Sequence, residues 1–230
     1  MWFTPSRRDL VLEAAFALLT LVSAPSAPNS LITAVPAARA SITTKPAQRD
    51  TAVFAGGCFW GVQAVFQHVK GVVTATSGYA GGKVANPSYE QVSTGRTGNA
   101  ESVRVIFDPA QVSYATLLQV FFDVVHDPTQ VNRQGPDVGT QYRSAVFYTG
   151  QEQRAATLQY IAWLQRSGAV KGKIVTEVAP LQDFYTAAPY HQDYTTLHPY
   201  EAYVRYNDLP KIAALKQHYP QLWSEQRAAY

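Results

Sequence analysis

Cysteine and methionine are nearly absent from this chain of 230 residues, each occurring once. The methionine is the first residue, so the rest of the chain lacks a side chain that oxidants readily convert to a polar sulfoxide, a composition suited to an oxidising setting. A single cysteine excludes any disulfide within the chain, and the fold must rest on its hydrophobic core. Charge is also sparse: 15% of residues are charged, the formal net charge is +3, and no Lys/Arg-rich run exists, which argues against nucleic acid or another polyanion as partner. The five histidines show no metal-ligand spacing such as H-x-x-x-H, so no metal site is expected. Long apolar runs are missing too. The apolar stretch from Ala14 to Ala24 is well short of the roughly 20 residues a membrane-spanning helix requires, and no stable membrane association is expected.

What is present begins with an N-terminal segment of its own kind. Arg7-Arg8 precedes that apolar stretch, and Ala38-Arg39-Ala40 before Ser41 has the small-x-small form of a signal-peptidase site. Residues 1–40 are therefore expected to be an export signal of the twin-arginine type, cleaved near Ala40, which would place a domain of residues 41–230 in a bacterial periplasm. With 47% hydrophobic residues in the whole chain, such a domain is long enough to bury a core of its own.

The stretch that organises this domain is Gly56-Gly57-Cys58-Phe59-Trp60-Gly61. Thr51 to Ala55 reads as a buried strand, the two glycines allow a sharp turn, and Val62, Val65, Phe66 and Val69 form a stripe at helical spacing. Cys58 is thus expected at a helix N-terminus, where free N–H groups and the helix dipole favour a thiolate. The residues alone also admit a buried, inert cysteine. Further strands are read at Val72–Thr76, Ser102–Phe107 (with Val103, Val105 and Phe107 on the inner face), Ala145–Tyr148 and Ile174–Val178. A helix capped by Ser113 should run to Asp127-Pro128, and another from Gln151 to Arg166 should stop at Gly168. A Gly-rich loop is expected after Thr76. The last forty residues read as Tyr-, Pro- and His-rich coil with a short outer helix at Lys211–His218. The order of elements fits an α+β two-layer sandwich.

Gly56-Gly57-Cys58-Phe59-Trp60-Gly61 resembles the signature of the A-class peptide methionine sulfoxide reductases. The resemblance continues in register through Gly78-Tyr79-Ala80-Gly81-Gly82, Asn86-Pro87-Ser88-Tyr89-Glu90-Gln91-Val92, Thr97-Gly98-Asn99-Ala100-Glu101, His126-Asp127-Pro128-Thr129-Gln130, Gly139-Thr140-Gln141-Tyr142-Arg143-Ser144 and Tyr190-His191-Gln192. It implies a ferredoxin-like βαββαβ core. It also implies that Cys58 attacks the sulfoxide sulfur, that Glu101 supplies the proton, and that the Tyr89 and Tyr142 hydroxyls bond the sulfoxide oxygen. Phe59 and Trp60 would hold the methyl group, with Asp137, His191 and Tyr194 completing the substrate site. Glu101 would need burial to raise its pKa for that task. The products would be methionine and a sulfenic acid on Cys58. Asn99, Pro136 and Ala188-Pro189 stand where the family usually has His, Asn and acidic residues. The C-terminal resolving cysteines of many members are missing, so an external thiol, whether thioredoxin, a glutaredoxin and glutathione system or a small thiol, must reduce the sulfenic acid. No bound cofactor is implied; oxidised proteins or peptides would be the substrates, and the chain is expected to act as a monomer. Two other readings come from the residues themselves: a thiol hydrolase using Cys58, His191 and a carboxylate, and a non-catalytic module whose aromatic pocket recognises exposed or oxidised methionine.

Overall fold

Strand β1 (Asp50–Gly56) carries alternate residues to opposite faces, and both faces are covered. On one side Phe54 stacks on Phe66 and Phe121, with ring centroids 5.1 and 4.9 Å apart. On the other, Val53 and Ala55 join Ala80, Ala100, Ala145 and Phe147 in a second apolar layer, closed by Ala179, Leu181 and Phe184. Each fully buried Phe contributes about 1.5–3 kcal/mol relative to exposure, so the two layers hold the sheet without a cross-link. These features belong to a computed structural model that describes residues 49–230; the expected export signal at 1–40 lies outside them.

The chain continues through α1 (Phe59–Gln67), β2 (Val72–Ala80), α2 (Tyr89–Ser93), β3 (Ala100–Phe107) and α3 (Tyr114–Val120). Two short strands follow, β4 (Arg133–Gln134) and β5 (Asp137–Val138), then β6 (Ser144–Tyr148), α4 (Gln151–Ser167), β7 (Glu177–Pro180) and β8 (Phe184–Thr186). Helices α5 (Tyr194–Leu197) and α6 (Leu209–His218) complete the described elements. The main sheet has the order β7-β6-β1-β3-β2-β8. Its central four strands, β6-β1-β3-β2, are antiparallel neighbours, with α1 joining β1 to β2 and α3 lying between β3 and β6. This is the ferredoxin-like βαββαβ arrangement, an α+β fold. Strand β7 adds parallel to β6 through α4, and β8 adds antiparallel to β2. Gly168 ends the α4 helix in the left-handed conformation, φ 72°, as its position in the sequence suggests.

Five expectations require correction. The strand expected at Ile174–Val178 begins at Glu177, because the Val175 N–H is drawn away from the sheet to the Pro128 carbonyl. Strand β2 continues through Gly78 to Ala80 instead of opening into a loop after Thr76, since pairing with β3 on one edge and β8 on the other holds it extended. The helix begun at Ser113 widens into a π-turn at Phe121–Val125, and the His126 ring N–H donates to the Phe121 carbonyl at 2.9 Å. Strand β3, read as half-buried, has Ser102 buried as well as Val103, because the second apolar layer covers its outer face.

The C-terminal forty residues depart furthest from expectation. They are not an outer coil: α5 and a π-turn at Val204–Asp208 pack on α1, and Val204, Asp208 and Leu215 are fully buried.

Candidate active site

Cys58 occupies the N-cap position of α1, immediately after β1. The turn between them needs Gly57, whose φ of 94° is open to glycine and whose missing Cβ would lie 2.7 Å from the Gln134 side chain. Gln134 is itself clamped, its amide exchanging hydrogen bonds of 3.0 Å with both the N–H and the carbonyl of Asp127. The sequence thus places the sulfur by strand, glycine turn and helix start together. Only 7% of the residue is exposed.

Glu101 reaches the same point from β3. It lies directly opposite Tyr79 in the β2–β3 pairing, so both side chains share the face covered by α1. Its Oε2 accepts the Phe59 N–H at 3.0 Å, one of the otherwise free donors of the helix start. Burial pushes the Glu101 carboxyl up to about 8, against the Phe59 N–H and the Cys58 thiol, whose hydrogen bonds lower it; nearby Asp137 and Asp208 push it further up. The resting carboxyl is therefore a neutral acid beside the thiol.

The thiol itself differs from the sequence expectation of a ready thiolate. The nearby Trp60 N–H favours the anion, but burial and then the Glu101 and Asp208 carboxyls outweigh it, and Cys58 is held well above the usual thiol range. Helix-end stabilisation is a local effect. Desolvation is set by the tertiary structure and is the larger of the two here.

The remaining residues named from sequence gather around this pair. The Phe59 ring lies 5.2 Å from that of His191 and 5.8 Å from that of Tyr79. Trp60 stacks flat on Tyr194, with centroids 3.7 Å apart and a 9° tilt, and its indole N–H donates to Nδ1 of His191 at 3.3 Å. The proton of neutral His191 therefore sits on Nε2, a buried atom without a partner. Burial also lowers the His191 pKa, so the neutral ring is the resting form. Tyr89 opens α2, which Ser88 and Gln91 cap reciprocally, and its ring lies 4.4 Å from His191. Tyr142 ends a short 3-10 turn at Thr140–Tyr142. Burial first and then the Glu101 charge raise the phenol pKa of both Tyr89 and Tyr142, so both keep their protons and can donate. The Tyr194 hydroxyl turns outward to Glu201, which leaves its ring as wall.

Asp137 is presented by the tight β4–β5 hairpin, where Gly135 at φ 56° is followed by Pro136. It accepts the Tyr203 hydroxyl at 2.5 Å, and burial raises its pKa. Asn99 is buried and its amide donates to the Val84 carbonyl at 3.0 Å, tying down the loop before β3.

Three members of this assembly were not read from the sequence: Tyr79, Tyr203 and Asp208. Tyr79 could have been found from the pairing register of two adjacent strands. Tyr203, whose ring meets the Trp60 edge at 5.8 Å, and Asp208 come from the π-turn region, where no regular period marks them. Among the described residues, no group of three or more His, Cys, Asp or Glu side chains is arranged to hold a metal.

Comparison with known proteins adds a separate finding. A family model described as Peptide methionine sulfoxide reductase matches residues 50–223. The chain is 54% identical to Peptide methionine sulfoxide reductase MsrA 2 of Mesorhizobium japonicum over 76% of its own length and 90% of that protein's. It is 49% identical to the protein of the same name from Synechocystis, over 77% of this chain and 83% of the relative. Among solved structures, methionine sulfoxide reductase A of Corynebacterium diphtheriae aligns with a TM-score of 0.60 at 37% identity, covering 70% of this chain and 79% of that one.

Proposed function

The chain belongs to the peptide methionine sulfoxide reductase family, and from that premise we propose that Cys58 and Glu101 carry its reaction. The protein reduces the S epimer of methionine sulfoxide in oxidised proteins to methionine, and so repairs them. The observation that supports the residue roles is the buried Glu101 carboxyl hydrogen-bonded to the N–H of Phe59, the residue next to the buried Cys58 at the start of α1. In the proposed step Glu101 passes its proton to the sulfoxide oxygen and receives the thiol proton, while Sγ bonds to the substrate sulfur. The hydroxyl then moves to Sγ as the bond between the two sulfurs breaks. Methionine sulfur gains two electrons, Cys58 becomes Cys–S–OH, and Glu101 ends protonated as it began. Tyr89 and Tyr142 donate to the oxygen as charge develops on it. Phe59 and Trp60, backed by His191 and Tyr194, enclose the methyl group, and Asp137 with Tyr203 closes the side beyond Trp60.

The test is mass spectrometry after incubation with free methionine sulfoxide and no reductant. One oxygen gained on Cys58 per methionine formed is expected. Methionine produced with an unmodified Cys58 would refute the assignment.

The chain's lone cysteine assigns regeneration to a thiol from outside, in two steps. A first thiol condenses with the sulfenic acid to release water and leave a mixed disulfide, and a second thiol releases Cys58. For the N-terminal segment, export to the periplasm remains the reading favoured by Arg7-Arg8 and Ala38-Arg39-Ala40. N-terminal sequencing of protein from the native host should begin near Ser41; recovery of an intact Met1 terminus from the periplasm would count against cleavage.

A further inference from the structure

The site contains a third carboxyl that the reaction above does not use. Asp208 ends the π-turn Val204–Asp208 and stands at the N-cap position of α6. An aspartate there ordinarily accepts N–H groups of the helix it begins, yet Asp208 makes no such bond. Its side chain turns inward instead. The residue is 0% exposed, neither carboxyl oxygen has a hydrogen-bond partner, and the neighbouring Thr195 hydroxyl is unpaired too. Oδ1 lies against Gly61, in the first turn of the helix that Cys58 caps: a Cβ on Gly61 would sit 2.3 Å from it. Glycine at 61 is thus what allows the carboxyl to reach the back of the nucleophile's helix turn. A π-turn, a forgone cap and a matching glycine all serve to deliver one unpaired acid to that place.

We propose that Asp208 is a positioning residue for the sulfur: a carboxyl that stays neutral behind the first turn of α1 while Cys58 reacts, and that opposes the thiolate when it ionises. The charged and titratable groups facing it are Lys211 on its own helix, Asp137 from β5, Glu101 from β3, Cys58 at the head of α1 and Tyr203 one turn earlier. Burial raises Asp208 to about 7 and Asp137 adds to the rise, whereas Lys211 lowers it. Two negative charges in so dry a place oppose one another, so an ionised Asp208 disfavours the Cys58 thiolate, adding to the larger effect of Glu101. Below neutrality Asp208 is uncharged and does not oppose the passage of the thiol proton to Glu101 as substrate binds. Above it, the Asp208 carboxylate holds the thiol proton in place, and an alkaline medium does not turn Cys58 into an indiscriminate nucleophile.

The proposal rests on Cys58 as nucleophile, and its test reads the sulfur directly. The rate of Cys58 alkylation by iodoacetamide is measured from pH 6 to 10 in the full chain and in Asp208→Asn, which keeps the shape and removes the charge. The variant should be alkylated up to about tenfold faster above pH 8, with its profile displaced to lower pH by up to about one unit. Superimposed profiles would overturn the proposal. Should Asp208→Asn not fold, the Asp208 carboxyl carbon of the unaltered chain, assigned by NMR through its backbone, decides instead. Titration near neutral pH is expected, and full ionisation by pH 5 would overturn it. Failure of the nucleophile assignment looks different: alkylated protein would continue to turn over.

Discussion

Replacement of Glu101 by Gln removes one proton and little else, since Gln fills nearly the same volume and its carbonyl can still accept the Phe59 N–H that Glu101 Oε2 accepts at 3.0 Å. Two consequences follow from the buried acid at about 8. At pH 7 the wild-type group is protonated in roughly ten molecules of eleven, so nearly all of the protein is competent to give a proton. Gln has none to give, and kcat for methionine sulfoxide should fall by roughly 10² to 10⁴ with KM little changed. The wild-type rate should also decline above about pH 8, a limb that the variant lacks. The second consequence concerns stability. An acid at 4.5 in the unfolded chain and about 8 in the fold binds its proton more tightly in the native state. The stability it confers is therefore complete below about pH 4.5 and is lost as pH rises to about 8. Between pH 5 and 7.5 this loss amounts to about 3 kcal/mol, at 1.36 kcal/mol for each tenfold change in proton activity. Urea unfolding of both proteins across that range measures it: wild type should lose about 3 kcal/mol more than Glu101→Gln. Parallel stability curves together with an unchanged neutral rate would show that Glu101 is neither buried as an acid nor the proton source.

Cys58→Ser should fold normally and lose turnover, because an alcohol at that position is a far weaker nucleophile; activity within tenfold of wild type would remove Cys58 from the reaction. Gly61→Ala places a methyl 2.3 Å from Asp208 Oδ1 and should cost about 1–3 kcal/mol in thermal or urea unfolding, with no loss of stability as the contrary result. A single turnover without reductant should release one equivalent of methionine and stop, and sustained turnover should follow the size and thiolate fraction of the added thiol. Continued turnover with no thiol at all would refute the one-cysteine cycle.

Some of the site could be read from the chain because its signals are local. Thr51–Ala55, Gly56-Gly57 and the Val62, Val65, Phe66, Val69 stripe are each short-range patterns, and together they placed Cys58 at a helix start, where the structure has it. Ser113, Gly168 and the alternation of Val103, Val105 and Phe107 worked in the same way. What escaped depends on contacts between distant segments. The displacement of β7 comes from one hydrogen bond between Val175 and Pro128. Tyr203 and Asp208 escaped because a π-turn breaks the 3.6-residue period by which an inward face is recognised. The protonation of Cys58 escaped for a related reason. Its helix position is visible in the sequence, but the burial and the Glu101 and Asp208 carboxyls that outweigh it are properties of the assembled fold.

The Tyr-rich C-terminal segment shows how a chain with one cysteine holds its site closed. Gln192 is buried, and its four side-chain hydrogen bonds run to Gln63 on α1, to the N–H and carbonyl of Ser77 on β2, and to the Ala187 carbonyl. The next residue continues the clamp: the Asp193 N–H donates to Gln63, and its Oδ1 accepts from Gln67 at 2.6 Å and from Arg227 at 3.1 Å. His191 and Tyr194, the residues on either side, are fixed against Phe59 and Trp60 by these bonds. Each buried partner left unsatisfied would cost about 1–3 kcal/mol, so the segment is not free to swing. A resolving thiol carried on it would have to break this clamp to approach Cys58. Reduction by a separate thiol asks for no such motion, and the aromatic wall of Phe59, Trp60, His191 and Tyr194 can stay in place.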